Sequence, residues 1–141
     1  AFFHRNEFAA AIGDALVALD SNAGEIARLQ RERDALDPRG AMPIEMAEQK
    51  LAGRRALRAS IYAVLTSSYG GAGQWPEAEA HARDWQALKP KDSNPLAMLG
   101  RVREMSGDTE AARQFYLQAA ALETSRDRQE AEQLEYARSS D

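Results

Sequence analysis

Shifting this chain against itself by thirty-four residues superimposes several of its special positions. Leu65 falls on Leu99, Gly73 on Gly107, Ala78 on Ala112 and Leu88 on Leu122, and Asp92, closing one unit, meets Ser93, opening the next. A repeat of that length is one supersecondary unit, which cannot bury its apolar face alone and must stack against neighbours. Within each unit the order is helix, glycine-containing turn, helix. Its small alanines allow helices to approach closely, and its leucines fill the space between neighbouring hairpins.

Local propensity agrees with this pattern. Ala, Leu, Glu, Gln and Arg dominate, β-branched residues are scarce, and no window alternates apolar and polar side chains as a strand would. The chain therefore reads as all-α. Breakers divide it. A first helix is predicted from Asn6 to Asp20, closed by Ser21-Asn22-Ala23-Gly24, and a second from about Gly24 to Leu36. Asp37 to Pro43 is a loop. A third helix starts near Pro43 and runs towards Tyr69, weakened at Gly53 and ended by Gly70-Gly71-Ala72-Gly73. Pro76 starts another, which stops before Lys89-Pro90. Pro95 starts the next, Ser106-Gly107-Asp108 ends it, a further helix spans Thr109 to about Glu123, and Ser125 to Arg138 forms a final, strongly charged one.

The spacing resembles the tetratricopeptide repeat (TPR) family. The first unit, 59–92, carries Tyr62, Leu65, Tyr69, Gly73, Ala78, Leu88 and Pro90. The second, 93–126, carries Leu96, Leu99, Gly100, Gly107, Ala112, Tyr116, Ala119 and Leu122. Against that pattern, Ala82 stands for an aromatic and Trp85 for a small residue, a pair of changes that compensate in volume. Arg103 also replaces an aromatic. Thr124 replaces the closing proline, so the helix there lacks the sharp stop that Pro90 gives. Asn6-Glu7-Phe8 with Ala11-Ile12 and Ala18-Leu19 resembles the second helix of a further repeat. The resemblance implies a solenoid of antiparallel helix hairpins. Residues 1–58 would be a half-repeat plus an irregular helical hairpin. Residues 127–141 would be a capping helix whose narrow stripe of Ala131, Leu134 and Tyr136 packs on one side. The start at Ala1-Phe2-Phe3, without Met, reads as a cut through a longer solenoid.

Composition excludes more chemistry than it selects. Eighteen Lys and Arg against 22 Asp and Glu leave a net charge of −4, contrary to the basic excess of a general nucleic-acid binder. Without cysteine there is no thiolate chemistry, Cys-ligated zinc or disulfide. The longest uncharged stretch, Ala59 to Pro76, is too polar for a bilayer span. Glu77, His81 and Asp84 share a helix face, but a zinc hydrolase needs a second histidine there, so a surface ion pair is expected. His4 reads as exposed. Gly70 to Gly73 lacks the Lys-Ser/Thr of a phosphate loop and reads as a turn. Trp75 and Trp85 are read as packing residues, with a ligand platform as the alternative. Lys50, Arg54 and Arg58 recur every four residues on one face, read as solvated, with a patch for an acidic partner as the sharper alternative. No cofactor, metal or catalytic residue is expected.

What remains is surface. The resemblance implies that the first helix of each repeat lines a concave groove for peptide segments. By position, the groove-facing residues are Ser60, Ala63, Ser67 and Gly70 in the first unit, and Asn94, Ala97, Met98, Arg101, Glu104 and Met105 in the second. Asn and Arg would hold a peptide's backbone or carboxylates, while Met adapts to varied side chains. Only Arg101 is placed for a carboxylate clamp. The expected function is a protein–protein interaction module, a scaffold or adaptor. The rivals are a regulatory or substrate-positioning appendage of a larger enzyme or assembly complex, and a self-association domain. The Ala- and Arg-rich composition suggests a high-GC bacterium. Cytoplasm and periplasm are both compatible.

Overall fold

Five helices account for the regular structure: α1 (Phe2–Asp34), α2 (Ala41–Gly71), α3 (Trp75–Leu88), α4 (Ser93–Met105) and α5 (Thr109–Ser139), with no strand among the described residues. This computed structural model describes the backbone of residues 2–139 and the side chains of residues 6–139. The expectation for the His4 side chain, and the last two residues of the proposed 127–141 cap, lie outside that range.

The two glycine turns of the repeat are built alike, hydrogen bond for hydrogen bond. After α2, the Ala72 N–H donates to Ser68 O, that of Gly73 to Gly70 O and that of Gln74 to Tyr69 O. Thirty-four residues on, Ser106 donates to Val102 O, Gly107 to Glu104 O and Asp108 to Arg103 O. Gly73 has φ 76° and Gly107 φ 87°, the left-handed conformation this helix-ending motif requires. The next helices then start on the same register, with Ala78 N–H donating to Gln74 O and Ala112 N–H to Asp108 O. Asp108 caps α5 by accepting from Ala111 N–H at 3.1 Å. Likewise Asp92 accepts from Asn94 N–H at 2.9 Å, which lets α4 begin at Ser93 rather than at Pro95.

Three helices run on where the sequence predicts weakness or a break. Ser21 to Gly24 does not end α1. A lone helical glycine costs only about 1 kcal/mol, and Asn22 is 2% exposed with its side chain turned to α2. Gly53 is absorbed within α2 in the same way. Between Glu123 and Ser125 nothing stops α5: the Thr124 hydroxyl donates to Ala120 O at 3.0 Å, a bond compatible with an unbroken helix. The charged tail is thus the second half of α5 rather than a separate helix.

The chain divides into two compact units, the boundary falling between His81 and Ala82 inside α3. In the first unit α1 packs on α2. Their contacts follow a single antiparallel register: the Phe8 ring lies against Gly71, Asn22 bonds Arg54 and Arg58, and Arg33 pairs with Glu48. Leu51 and Leu65 are fully buried here, each such leucine contributing about 1.5–3 kcal/mol. The His81 ring stacks on Tyr69 at 5.4 Å and on Tyr62 at 6.0 Å, fixing the first half of α3 on α2.

In the second unit α4 packs on α5. Ala82, Leu96, Leu99 and Ala119 form a buried cluster, with Ala97, Phe115 and Leu122 packed against it. Tyr116 lies over Gly100, and Ser93 donates to Glu123 at 3.1 Å, so the 13 residues of α4 cover only the first half of α5. Beyond Leu122 every described residue of α5 is exposed, Leu134 at 60% and Tyr136 at 76%. The stripe of Ala131, Leu134 and Tyr136 expected to pack as a cap therefore faces solvent. Of the exchanged pair, Ala82 is fully buried and Trp85 half-buried.

Candidate functional site

On α2 the four expected residues differ in exposure. Ser60 and Ser67 are exposed, Ala63 and Gly70 half-buried, and the Ser60 hydroxyl turns back onto Ala56 O at 3.3 Å. Val64, one residue beyond Ala63, is also exposed. This makes a strip of small, neutral residues with one isopropyl group. Gly70 is held close by Trp75, whose ring carbon Cζ3 would stand 3.3 Å from a β-carbon there. Trp75 is thus a packing residue at the turn.

On α4 the six expected residues divide by role. Asn94 belongs to the helix start, its N–H bound by Asp92. Ala97 packs against the buried cluster, and Met98 is half-buried. Arg101, Glu104 and Met105 are exposed, Met105 at 59%. Glu104 is already engaged within the hairpin, where its Oε2 accepts from the Tyr116 hydroxyl at 2.7 Å. Partial burial first, and then that bond to a carboxylate, push the Tyr116 hydroxyl above its ordinary value of 10.0.

Glu104 also borders a feature that the repeat pattern does not reveal. A shallow hollow of about 380 Å³ lies on the α4–α5 hairpin, lined by Glu104, Thr109, Ala112, Arg113, Tyr116 and Leu117. Leu117 is 53% exposed. Its signal in the sequence is positional: Leu117 stands off the stripe of Ala112, Phe115, Ala119 and Leu122 that packs inwards. The hollow has an apolar floor with one cation and one carboxylate at its edge. Such a lining holds an apolar side chain and orients a polar backbone.

The charged ladder on α2 is largely engaged. Arg54 pairs with Glu25 at 3.2 Å, and Arg58 donates to Asn22 Oδ1 at 3.4 Å while its guanidinium lies 5.1 Å from the Tyr62 ring centre. Glu48 holds the Arg33 guanidinium in its charged form through a direct hydrogen bond. A cleft of about 490 Å³ opens between α1 and α2 beside Lys50 and Arg54, and a second hollow of about 260 Å³ adjoins it. The two share Leu29, Glu32 and Lys50.

Among the described residues no group of three or more His, Asp or Glu is placed to hold a metal ion, and no helix is long and apolar enough to cross a membrane. No family model matches the chain, and no match is found among curated proteins or solved structures.

Proposed function

We propose that this chain is a protein–protein interaction module, a TPR-like scaffold or adaptor of helix hairpins whose work is binding rather than catalysis. The observation that carries the reading is the open hollow on the α4–α5 hairpin, with Tyr116 and Leu117 on its wall and the exposed Met105 next in sequence to its rim residue Glu104. An apolar side chain of a partner would sit against Leu117 and Tyr116. Arg101 and Arg113 would meet a carboxylate or backbone carbonyls, and Met98 and Met105 would adapt to neighbouring side chains. The hairpin beneath is fixed by the Tyr116–Gly100 contact and a capped turn, so little ordering cost opposes association. The in-register repetition of the glycine turns supports the repeat reading. In the first unit, the small neutral strip of Ser60, Ala63 and Ser67 suits close approach of a peptide backbone.

Affinity capture with the full chain, compared with Arg101→Glu combined with Met98→Ala, tests the proposal. Partners retained by the native chain and lost by the variant support it. Unchanged recovery counts against it. A second reading, self-association, is favoured by the solvent-facing Leu134 and Tyr136 on the second half of α5. Light scattering over a concentration series separates the two.

A further inference from the structure

The α1–α2 hairpin of the first unit carries a second surface, and its charges identify what it takes. From Gln49 to Pro76 the sequence contains no acidic residue, while Lys50, Arg54, Arg55 and Arg58 fall within nine positions. Of these cations, only Arg54 finds a carboxylate among the described residues, on Glu25. Arg55 meets the neutral amide oxygen of Gln30 at 3.4 Å, Arg58 that of Asn22, and Lys50 has no ion-pair partner among the described residues. Three cations thus lie along one helix without a counter-charge among the described residues.

Of the three, Lys50 borders an apolar recess, while Arg55 and Arg58 line neither hollow. Lys50 sits where the two adjoining hollows meet, and the smaller is lined by Leu29, Leu36, Pro43, Met46 and Ala47. Met46 is largely exposed. In the larger cleft Gly53 adds no side chain, with nothing within 4 Å of where its β-carbon would stand. We propose that this recess binds an acidic amphipathic peptide segment of another protein, its apolar side chains entering beside Met46 and a carboxylate meeting Lys50. A nucleic acid fits less well. Arg28 and Arg54 engage the cleft's own Glu25 and Glu32, so among its described residues Lys50 alone offers a free positive charge, too little for a phosphate backbone. Neither hollow has an aromatic side chain on which a base could stack. This surface shares no residue with the α4–α5 face, so each can fail without the other.

The test uses the full chain and a fluorescein-labelled helical peptide with leucines at i and i+4 flanked by glutamates, read by fluorescence anisotropy. Binding should weaken about tenfold with Lys50→Glu, the scale of reversing one partly exposed charge at an interface. It should also weaken with Met46→Gln, with rising salt, and when the peptide's glutamates are replaced by glutamine. Lys50 and Met46 are exposed, so circular dichroism should show both variants folded. Equal binding by the native chain and Lys50→Glu would overturn the proposal. So would a single-stranded oligonucleotide that binds more tightly than the peptide and displaces it. Sedimentation showing a dimer that Lys50→Glu dissociates would also overturn it, by assigning the recess to a second copy of this chain.

Discussion

Tyr116 lies across the bare face of Gly100: its ring carbon Cε1 would stand 2.7 Å from a β-carbon at that position, and its hydroxyl donates to Glu104 one turn further along α4. One side chain therefore sets how closely α4 and α5 approach and also shapes a wall of the candidate hollow.

Gly100→Ala should destabilise the chain by about 1–3 kcal/mol, because the ring must move out of a well-packed place. The better helix propensity of alanine, worth about 1 kcal/mol, offsets only part of that. In a Tyr116→Ala background the same change should become neutral or stabilising. A double-mutant cycle by denaturant unfolding measures the difference. Equal effects in both backgrounds would contradict the contact.

The Tyr116 hydroxyl should ionise above the ordinary tyrosine value of 10.0, because partial burial and the bond to Glu104 favour its neutral form. A group whose folded-state value is raised stabilises the fold below its unfolded value and loses that contribution as pH rises through the folded one. The Tyr116–Glu104 contribution should thus be intact at neutral pH and lost only in alkali. The 295 nm absorbance titration of the native chain minus that of Tyr116→Phe isolates this ionisation. Glu104→Gln should lower its midpoint.

Gly73→Ala and Gly107→Ala should cost similar amounts, about 1–2 kcal/mol each, since both put a β-carbon on a left-handed residue in the same hydrogen-bonded turn. Thermal unfolding of the two variants checks this. A large cost at one and none at the other would mean that the turns are not equivalent.

Gly24→Ala should raise stability by about 0.5–1 kcal/mol, as for any solvent-facing glycine inside a helix, and nothing lies within 4 Å of its would-be β-carbon. Asn22→Ala should lower stability by about 1–2 kcal/mol through loss of its bond to Arg54 O. Were α1 broken at Ser21 to Gly24, neither sign would hold. Denaturant unfolding of both variants decides it.

These predictions mark what could be read from residues alone. The glycine turns were legible because only glycine takes φ near 80° without strain, and the leucines at 65 and 99 because a period of thirty-four superimposes them. The continuity of α1 was not legible. Ser21-Asn22-Ala23-Gly24 carries the chemistry of a helix end, and only the partner helix shows that Asn22 is spent on a bond to α2. The same holds at Thr124, where losing a proline removes a stop but does not say that the helix goes on for fifteen residues more. On α4, the family resemblance put Arg101 and Met105 on the surface, where they are exposed, yet gave no sign that Glu104 bonds Tyr116 across the turn. The hollow around Leu117 was missed because it belongs to α5, while the repeat pattern directs attention to the first helix of each unit.

The central claim is that the α4–α5 face binds peptide. Selecting displayed peptides on the immobilised full chain, then measuring their affinity by fluorescence anisotropy, tests it most directly. The account predicts enriched peptides with an apolar anchor that bind the native chain and lose about tenfold or more, roughly 1.4 kcal/mol, with Leu117→Asp or with Met98→Ala combined with Arg101→Glu. Selected peptides that bind those variants as tightly as the native chain would contradict it.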